Sequence, residues 1–158
     1  MEGAAPAPMA GPGKILVFRL GAERYGLPLE CVRELQRVPA VTPVPRLPAF
    51  VAGVANLRGN VIGLIDLRAV VGASPAPVET SAARRMMVVS VDGLTAGVLV
   101  DRVEGVEAEG EMDPPVATLP DALRPLLRGH LHDGSSTIAV LEPSFLHALR
   151  ERVEAEAG

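Results

Sequence analysis

Apolar and polar positions alternate at short range along most of this chain, and the pattern is that of strands. The run ILVFRL from Ile15 to Leu20 predicts one strand, Gly21 to Arg24 a turn, and Tyr25 to Leu29 a second strand. Pro28 argues against a central ladder position for that second strand. Val32 to Val38 reads as a third strand or a turn leading into one. Pro39, Pro43, Pro45 and Pro48 then exclude a regular element and make an extended connector. The stretch Phe50 to Gly72 follows, two apolar runs meeting at the polar corner Asn56-Leu57-Arg58-Gly59-Asn60. Gly59-Asn60 is its expected turn, pairing the runs as neighbouring strands.

Beyond the corner, Leu67 to Val71 predicts one helical turn stopped by Gly72, and Ala73 to Ala83 a linker. Arg84 to Val91 and Leu94 to Val100 form an expected hairpin around Asp92-Gly93. Val103 to Met112 is an acidic strand candidate with an exposed face, and Asp113 to Pro125 a proline-marked loop. Leu126 to His132 and Ser136 to Leu141 make a last hairpin across Asp133-Gly134. Only at the end does the period lengthen: Phe145, Leu146, Leu149 and Val153 fall on one helical face, with Pro143 in a first turn.

The chain also repeats itself. Placing Gly26 over Gly97 pairs Val17 with Val88, Leu20 with Val91, Leu29 with Val100, Glu30 with Asp101, Val32 with Val103 and Leu35 with Val106 without a gap. Leu57-Arg58-Gly59 recurs as Leu127-Arg128-Gly129, and the β-branched runs that follow end in an acid, Asp66 or Glu142. The expectation is an all-β fold of two similar small barrels, with repeat halves at roughly 15–72 and 84–142. Each half is too short for a substantial core of its own, so the two should share an apolar seam. The groove left along such a seam suits an apolar helix from a partner.

Length and charge narrow the function. At 158 residues the chain is one domain or two small subdomains, with 1–13 a tail, 14–150 the folded unit and 143–158 a C-terminal helix and its end. A net charge of −4 with both signs scattered offers no basic face to nucleic acid or anionic lipid. Phe18, Tyr25, Phe50 and Phe145 are the only aromatics, too few for a base-stacking platform. Cys31, the single cysteine, can build neither an internal disulfide nor a thiolate cage, and fits a reducing, cytoplasmic setting. No apolar run is long enough to insert into a membrane, and the Ala/Pro/Gly-rich start does not read as a secretory signal.

Catalytic chemistry is thin. His130 and His132, two apart on a strand, face one way, but zinc sites want three or four ligands. Gly11-Pro12-Gly13-Lys14 lacks the Ser or Thr of a phosphate loop and leads into a strand. Ser135, Ser136 and Ser144 have no nucleophile elbow, and Cys31 reads as a small buried hydrophobe. No metal site, cofactor or enzyme activity is expected, and binding is the better hypothesis. Arg58, held at a fixed corner between two strands, is the oddity: it is either a solvated loop residue or a planar donor fork aimed at a carboxylate.

These residues resemble the CheW family of chemosensory adaptors. Phe50 to Gly59 with Val61 to Arg68 carries the closest likeness. It is joined by Val17 to Gly21, Tyr25 to Leu29, Val32 to Leu35, Pro45 to Phe50 and Gly97 to Val103, and less tightly by Leu127 to Gly129 and Ile138 to Leu141. Gly63 departs from the pattern, standing where the family usually has proline, and the Pro-rich tail and the acidic stretch from Glu104 to Glu111 are not typical.

The resemblance implies two packed five-stranded SH3-like β-barrels and no catalysis. It implies an adaptor that couples the cytoplasmic tips of methyl-accepting chemoreceptors to the regulatory domain of a CheA-like histidine kinase, modulates autophosphorylation, self-associates in array rings, and reaches the membrane-associated array only through those partners. Carried over by motif, the receptor-coupling residues are Leu29, Val32, Glu34, Gly53, Asn56, Leu57 and Arg58, with Glu34 and Arg58 a partly shielded ion pair. Kinase-contact residues are not assigned. The alternatives are a paralogue scaffolding a specialised motility or gene-regulatory pathway and, in another class, a small-barrel peptide-binding module.

Overall fold

The computed structural model describes residues 13–72, 82–116, 121–134 and 136–157. The expected tail, apart from Gly13, and most of the expected linker lie outside the described residues, as do Ser135 and part of the 113–125 loop. The strands are β1 (Lys14–Leu20), β2 (Glu23–Pro28), β3 (Val32–Arg37), β4 (Val51–Leu57), β5 (Asn60–Asp66), β6 (Arg85–Val91), β7 (Leu94–Val100), β8 (Arg102–Ala108), β9 (Leu127–Asp133) and β10 (Ser136–Leu141). Two helices, α1 (Leu67–Val71) and α2 (Phe145–Ala157), close the two halves.

The strands make two five-stranded sheets, ordered β8-β1-β2-β10-β9 and β3-β6-β7-β5-β4. The strand count and the packing of two similar sheets agree with the expectation, but sequence halves and sheets do not coincide. Each sheet takes strands from both halves. Matching β1 to β6, β2 to β7, β3 to β8, β4 to β9 and β5 to β10 turns one sheet order into the other, so the duplication is interleaved. Even the irregularities match: the bulge between Val17 and Phe18 opposite β8 recurs between Val88 and Val89 opposite β3.

The last hairpin corrects the repeat. Val51 pairs with Ile65 and Gly53 with Leu64; their counterparts are Leu127 with Leu141 and Gly129 with Val140. Gly53 therefore corresponds to Gly129, and Leu57-Arg58-Gly59 does not correspond to Leu127-Arg128-Gly129: the first sits at the tip of its hairpin, the second at the base. The acids do correspond, since the Asp66 amide donates to Phe50 O (2.7 Å) as the Glu142 amide donates to Leu126 O (2.8 Å).

Three local expectations also change. The β4–β5 turn is Arg58-Gly59, both with positive φ (52° and 87°) as a tight primed turn requires, and Asn60 already pairs with Leu57 in β5. Asp92-Gly93 repeats that turn between β6 and β7, with φ of 48° and 83°. β2 begins at Glu23, and it is a central strand despite Pro28. Proline is tolerated there because β10 pairs only with Arg24, Tyr25 and Gly26, leaving the end of β2 free of that ladder.

Strand alternation divides the apolar residues among three cores. Ile15 and Val17 join Leu131, Ile138 and Val140 under the first sheet. Their counterparts Met86 and Val88 join Ala55, Leu64 and Leu99 under the second. The opposite faces, with Leu16, Phe18 and Leu27 from one side and Val89, Val98 and Val100 from the other, form the shared seam with Leu67 and the α2 residues Phe145, Leu146 and Leu149. Gly26 and Gly97, the anchors of the repeat, are small for one reason: a Cβ would stand 2.5 Å from Ile15 Cγ2 at the first and 2.3 Å from Leu64 Cδ2 at the second.

α1 is capped at both ends. The Asp66 side chain accepts from the Arg68 amide at 3.1 Å, and Gly72 turns left-handed at φ 69°.

Candidate functional site

Arg58 stands at the tip of the β4–β5 hairpin, on the far edge of its sheet from β3. Its guanidinium nonetheless reaches Glu34 of β3 in a two-pronged contact, Nη1 to Oε2 at 2.5 Å and Nη2 to Oε1 at 2.8 Å. The pair thus ties together the two edge strands of one sheet. The hydrogen bonds to Glu34 hold the Arg58 guanidinium above its ordinary pKa. Asn56 supports the corner from below, its Oδ1 accepting from the Gly59 amide at 2.9 Å. Gln36 adds a donor to Glu34 Oε1 at 3.3 Å.

Of the two readings for Arg58, the donor fork on a carboxylate is the observed one. The shielding is one-sided: the Glu34 side chain is 21 % exposed and that of Arg58 67 %. With its Arg58 end open to water the pair is screened and contributes little to stability, so the guanidinium is available for a partner at small cost to the fold. Beside it on β5, Val61 is 70 % exposed, an apolar side chain turned outward next to the charged corner.

The seven expected residues separate into two groups. Glu34, Asn56, Leu57 and Arg58 gather around the corner, with Leu57 half-buried against the core of its sheet. Leu29 and Val32 are buried in the shared seam, and Gly53 is buried where β4 meets the connector: a Cβ there would stand 2.2 Å from Thr42 O. An apolar cleft of about 250 Å³ lies between α2 and the second sheet, lined by Phe50, Ile65, Leu94, Leu146 and Val153 among others; no strand of the first sheet lines it, so it differs from the expected groove between two barrels. None of the seven lines it, since it lies at the base of the hairpin, beside Val51 and Ile65, and Arg58 is at the tip.

The sequence reading passed over three charged clusters among the described residues, one of them Arg128 of β9, which donates to Glu109 Oε2 at 2.9 Å and to Glu142 Oε2 at 3.1 Å. Arg24 donates to Glu104 Oε1 at 2.9 Å and to Asp133 Oδ2 at 3.2 Å, while Arg19 reaches Glu104 Oε2 at 2.6 Å. The hydrogen bond from Arg19 foremost, helped by Arg24, holds the Glu104 carboxyl below its ordinary pKa. Asp101, buried, accepts from the Gly21 amide at 2.6 Å and faces Arg68 and Arg84. The acidic run around Glu104 was the visible signal, but its arginine partners are distant in sequence. Cys31 is buried, and burial pushes its thiol pKa up, away from the reactive thiolate.

The CheW-like domain model matches residues 14–149. The chain belongs to the CheW-like family. It is 32% identical to the probable chemotaxis protein CheW of Rhizobium etli over 94% of both chains. It is 33% identical to protein PilI of Pseudomonas aeruginosa over 73% of this chain and 65% of that one. The crystal structure of the scaffolding protein TtCheW from Thermoanaerobacter tengcongensis superposes with a TM-score of 0.76 at 32% identity, covering 87% of this chain and 88% of that one. CheW-like proteins are scaffolding adaptors of chemotaxis, not enzymes. No helix among the described residues is long and apolar enough to cross a membrane.

Proposed function

We propose that this CheW-like chain couples a CheA-type histidine kinase, through the kinase's regulatory domain, to the cytoplasmic tip of a chemoreceptor, and modulates kinase autophosphorylation through those contacts. The observation that carries the reading is the Glu34–Arg58 pair, held in two-pronged geometry on a well-supported corner with its Arg58 end open to solvent. Glu34, Asn56, Leu57 and Arg58 form the receptor-facing surface; Leu29, Val32 and Gly53 act on it through the scaffold that positions β3 and β4. Each contact belongs to the transient class that buries less than about 1,200 Å² and gains strength from multivalent assembly in an array.

The test is reconstitution with purified receptor tip and kinase from the same genome, reading kinase autophosphorylation. The wild-type chain is expected to bring the kinase under receptor control, and Arg58→Ala to lose that control while melting at the same temperature. A wild-type chain that binds neither partner overturns the proposal; a matching fall in melting temperature overturns the role of Arg58. The resemblance to PilI favours a second reading, a paralogue serving a specialised pathway. It predicts binding to one dedicated receptor and kinase and to no others.

A further inference from the structure

Each repeat has a connector that meets the edge strand of its last hairpin in the same way. Thr42 exchanges backbone hydrogen bonds with Val54 of β4 at 2.8 and 2.9 Å, and Asp113 exchanges them with His130 of β9 at 2.9 and 2.7 Å. Gly53 and Gly129 make room for the approach, since a Cβ would stand 2.2 Å from Thr42 O in one repeat and 2.4 Å from Asp113 O in the other. After this shared bridge the repeats diverge. The first continues Pro43-Val44-Pro45, the second Pro114-Pro115-Val116. Pro45 has no N–H to satisfy. Val116, at the same place, has one, and it donates to Nε2 of His130 at 3.3 Å, where the first repeat has only Val54.

That bond fixes the state of the ring. An amide donor needs the lone pair on Nε2, so His130 is neutral with its proton on Nδ1, an atom that is buried and has no hydrogen-bond partner. We propose that His130 is a proton-operated latch: neutral, it holds the Asp113–Val116 segment against β9; protonated, it loses its acceptor, sets N–H against N–H at Val116, and releases the segment. The residue is 8 % exposed, so a charged ring has little water to turn to.

The charged and titratable groups around it act in both directions. His132, on the same strand, opposes a second positive charge, and Asp113 favours one. The Asp113 carboxylate, however, lies 2.6 Å from His132 Nε2 and is engaged there. Across a cleft of about 300 Å³, Glu23, Arg24 and Tyr25 of β2 share walls with His130, and Arg24 is held by Glu104 and Asp133. Burial first, then His132, keep the ring below the ordinary histidine pKa. With the folded value depressed, the latch contributes fully above the ordinary histidine range and is lost as pH falls through the lower folded value.

The test is isotope-edited NMR of the full chain from pH 8 to pH 5, following the His130 ring carbon and the Val116 amide. Val116 is expected to lose at least tenfold in exchange protection as His130 titrates, while the Thr42 and Val54 amides stay unchanged. The double variant His130→Val with Val116→Pro, which copies the first repeat's solution, has neither the ring nor the Val116 N–H, so it is read at the Asp113 amide of the same segment; that amide should lose protection with pH in the wild type and not in the double variant, which should fold, while His132→Asn should retain the wild-type transition. A Val116 amide indifferent to His130 protonation overturns the latch. So does a ring that stays neutral until the chain unfolds, a transition that survives in the double variant, or one abolished by His132→Asn alone.

Discussion

Both sheets tie their two edge strands together with arginine, but they place the cation differently. In the first sheet Arg24, on the central strand β2, reaches outward to Glu104 on one edge and Asp133 on the other and is only 14 % exposed, while Arg128 on the edge strand β9 is held between Glu109 and Glu142 and is 29 % exposed. In the second sheet the cation is at the edge itself, on the hairpin tip, and open to solvent. One arrangement is enclosed by the scaffold it supports; the other is displayed. Interleaved repeats with the same strand order thus divide labour through the position of a guanidinium, and the displayed one is the candidate for recognition.

Substitutions at the matched glycines probe the part the two sheets share, and carry the largest expected effects. Gly53→Ala would drive a methyl group into Thr42 O from a residue at φ 144°, and should destabilise by on the order of 3 kcal/mol in chemical denaturation. Gly129→Ala, set against Asp113 O, should also destabilise strongly, and a neutral result at either site would break the structural equivalence of the hairpins.

Next comes Arg24→Ala, expected to cost about 1–2 kcal/mol because it strips Asp133 and half of Glu104 of a shielded partner. If it cost nothing, the contrast between enclosed and displayed arginines would fail.

A smaller, pH-dependent effect follows from Glu104. Its folded pKa is depressed, so its contribution is present above the ordinary glutamate value near 4.5 and lost as pH falls through the lower folded value. Acid denaturation of Glu104→Gln should therefore show a flatter loss of stability below that value than wild type. The smallest thermal effect is expected for Arg58→Ala, which should leave the melting curve nearly unchanged while abolishing receptor control of the kinase.

Strand periods and turn pairs such as Asp92-Gly93 made most elements legible, because those signals are local. The repeat was legible wherever register is continuous, from Val17 over Val88 to Leu35 over Val106. It failed at Leu57-Arg58-Gly59 because the connector before the second hairpin is longer, from Asp113 to Leu127 against Thr42 to Val51, so an identical tripeptide fell out of register. Interleaving could not be read, since which half supplies a neighbouring strand is decided by packing far apart in sequence. At the site, the partly shielded Glu34–Arg58 pair was reachable through family resemblance, but that the shielding falls on Glu34 and leaves Arg58 open was not. The Arg24 cluster joins residues more than a hundred positions apart at Asp133, beyond any local pattern.

The interleaved topology also sets the order in which the protein can take shape as it leaves the ribosome. The second sheet is complete in sequence once β7 has emerged at Val100, whereas the first must wait for β10 at Leu141. The β1–β2 hairpin, synthesised first, gains its neighbour β8 only at Ala108 and β10 only at Leu141, so the free edge of β2 stays unpaired until nearly the whole chain exists.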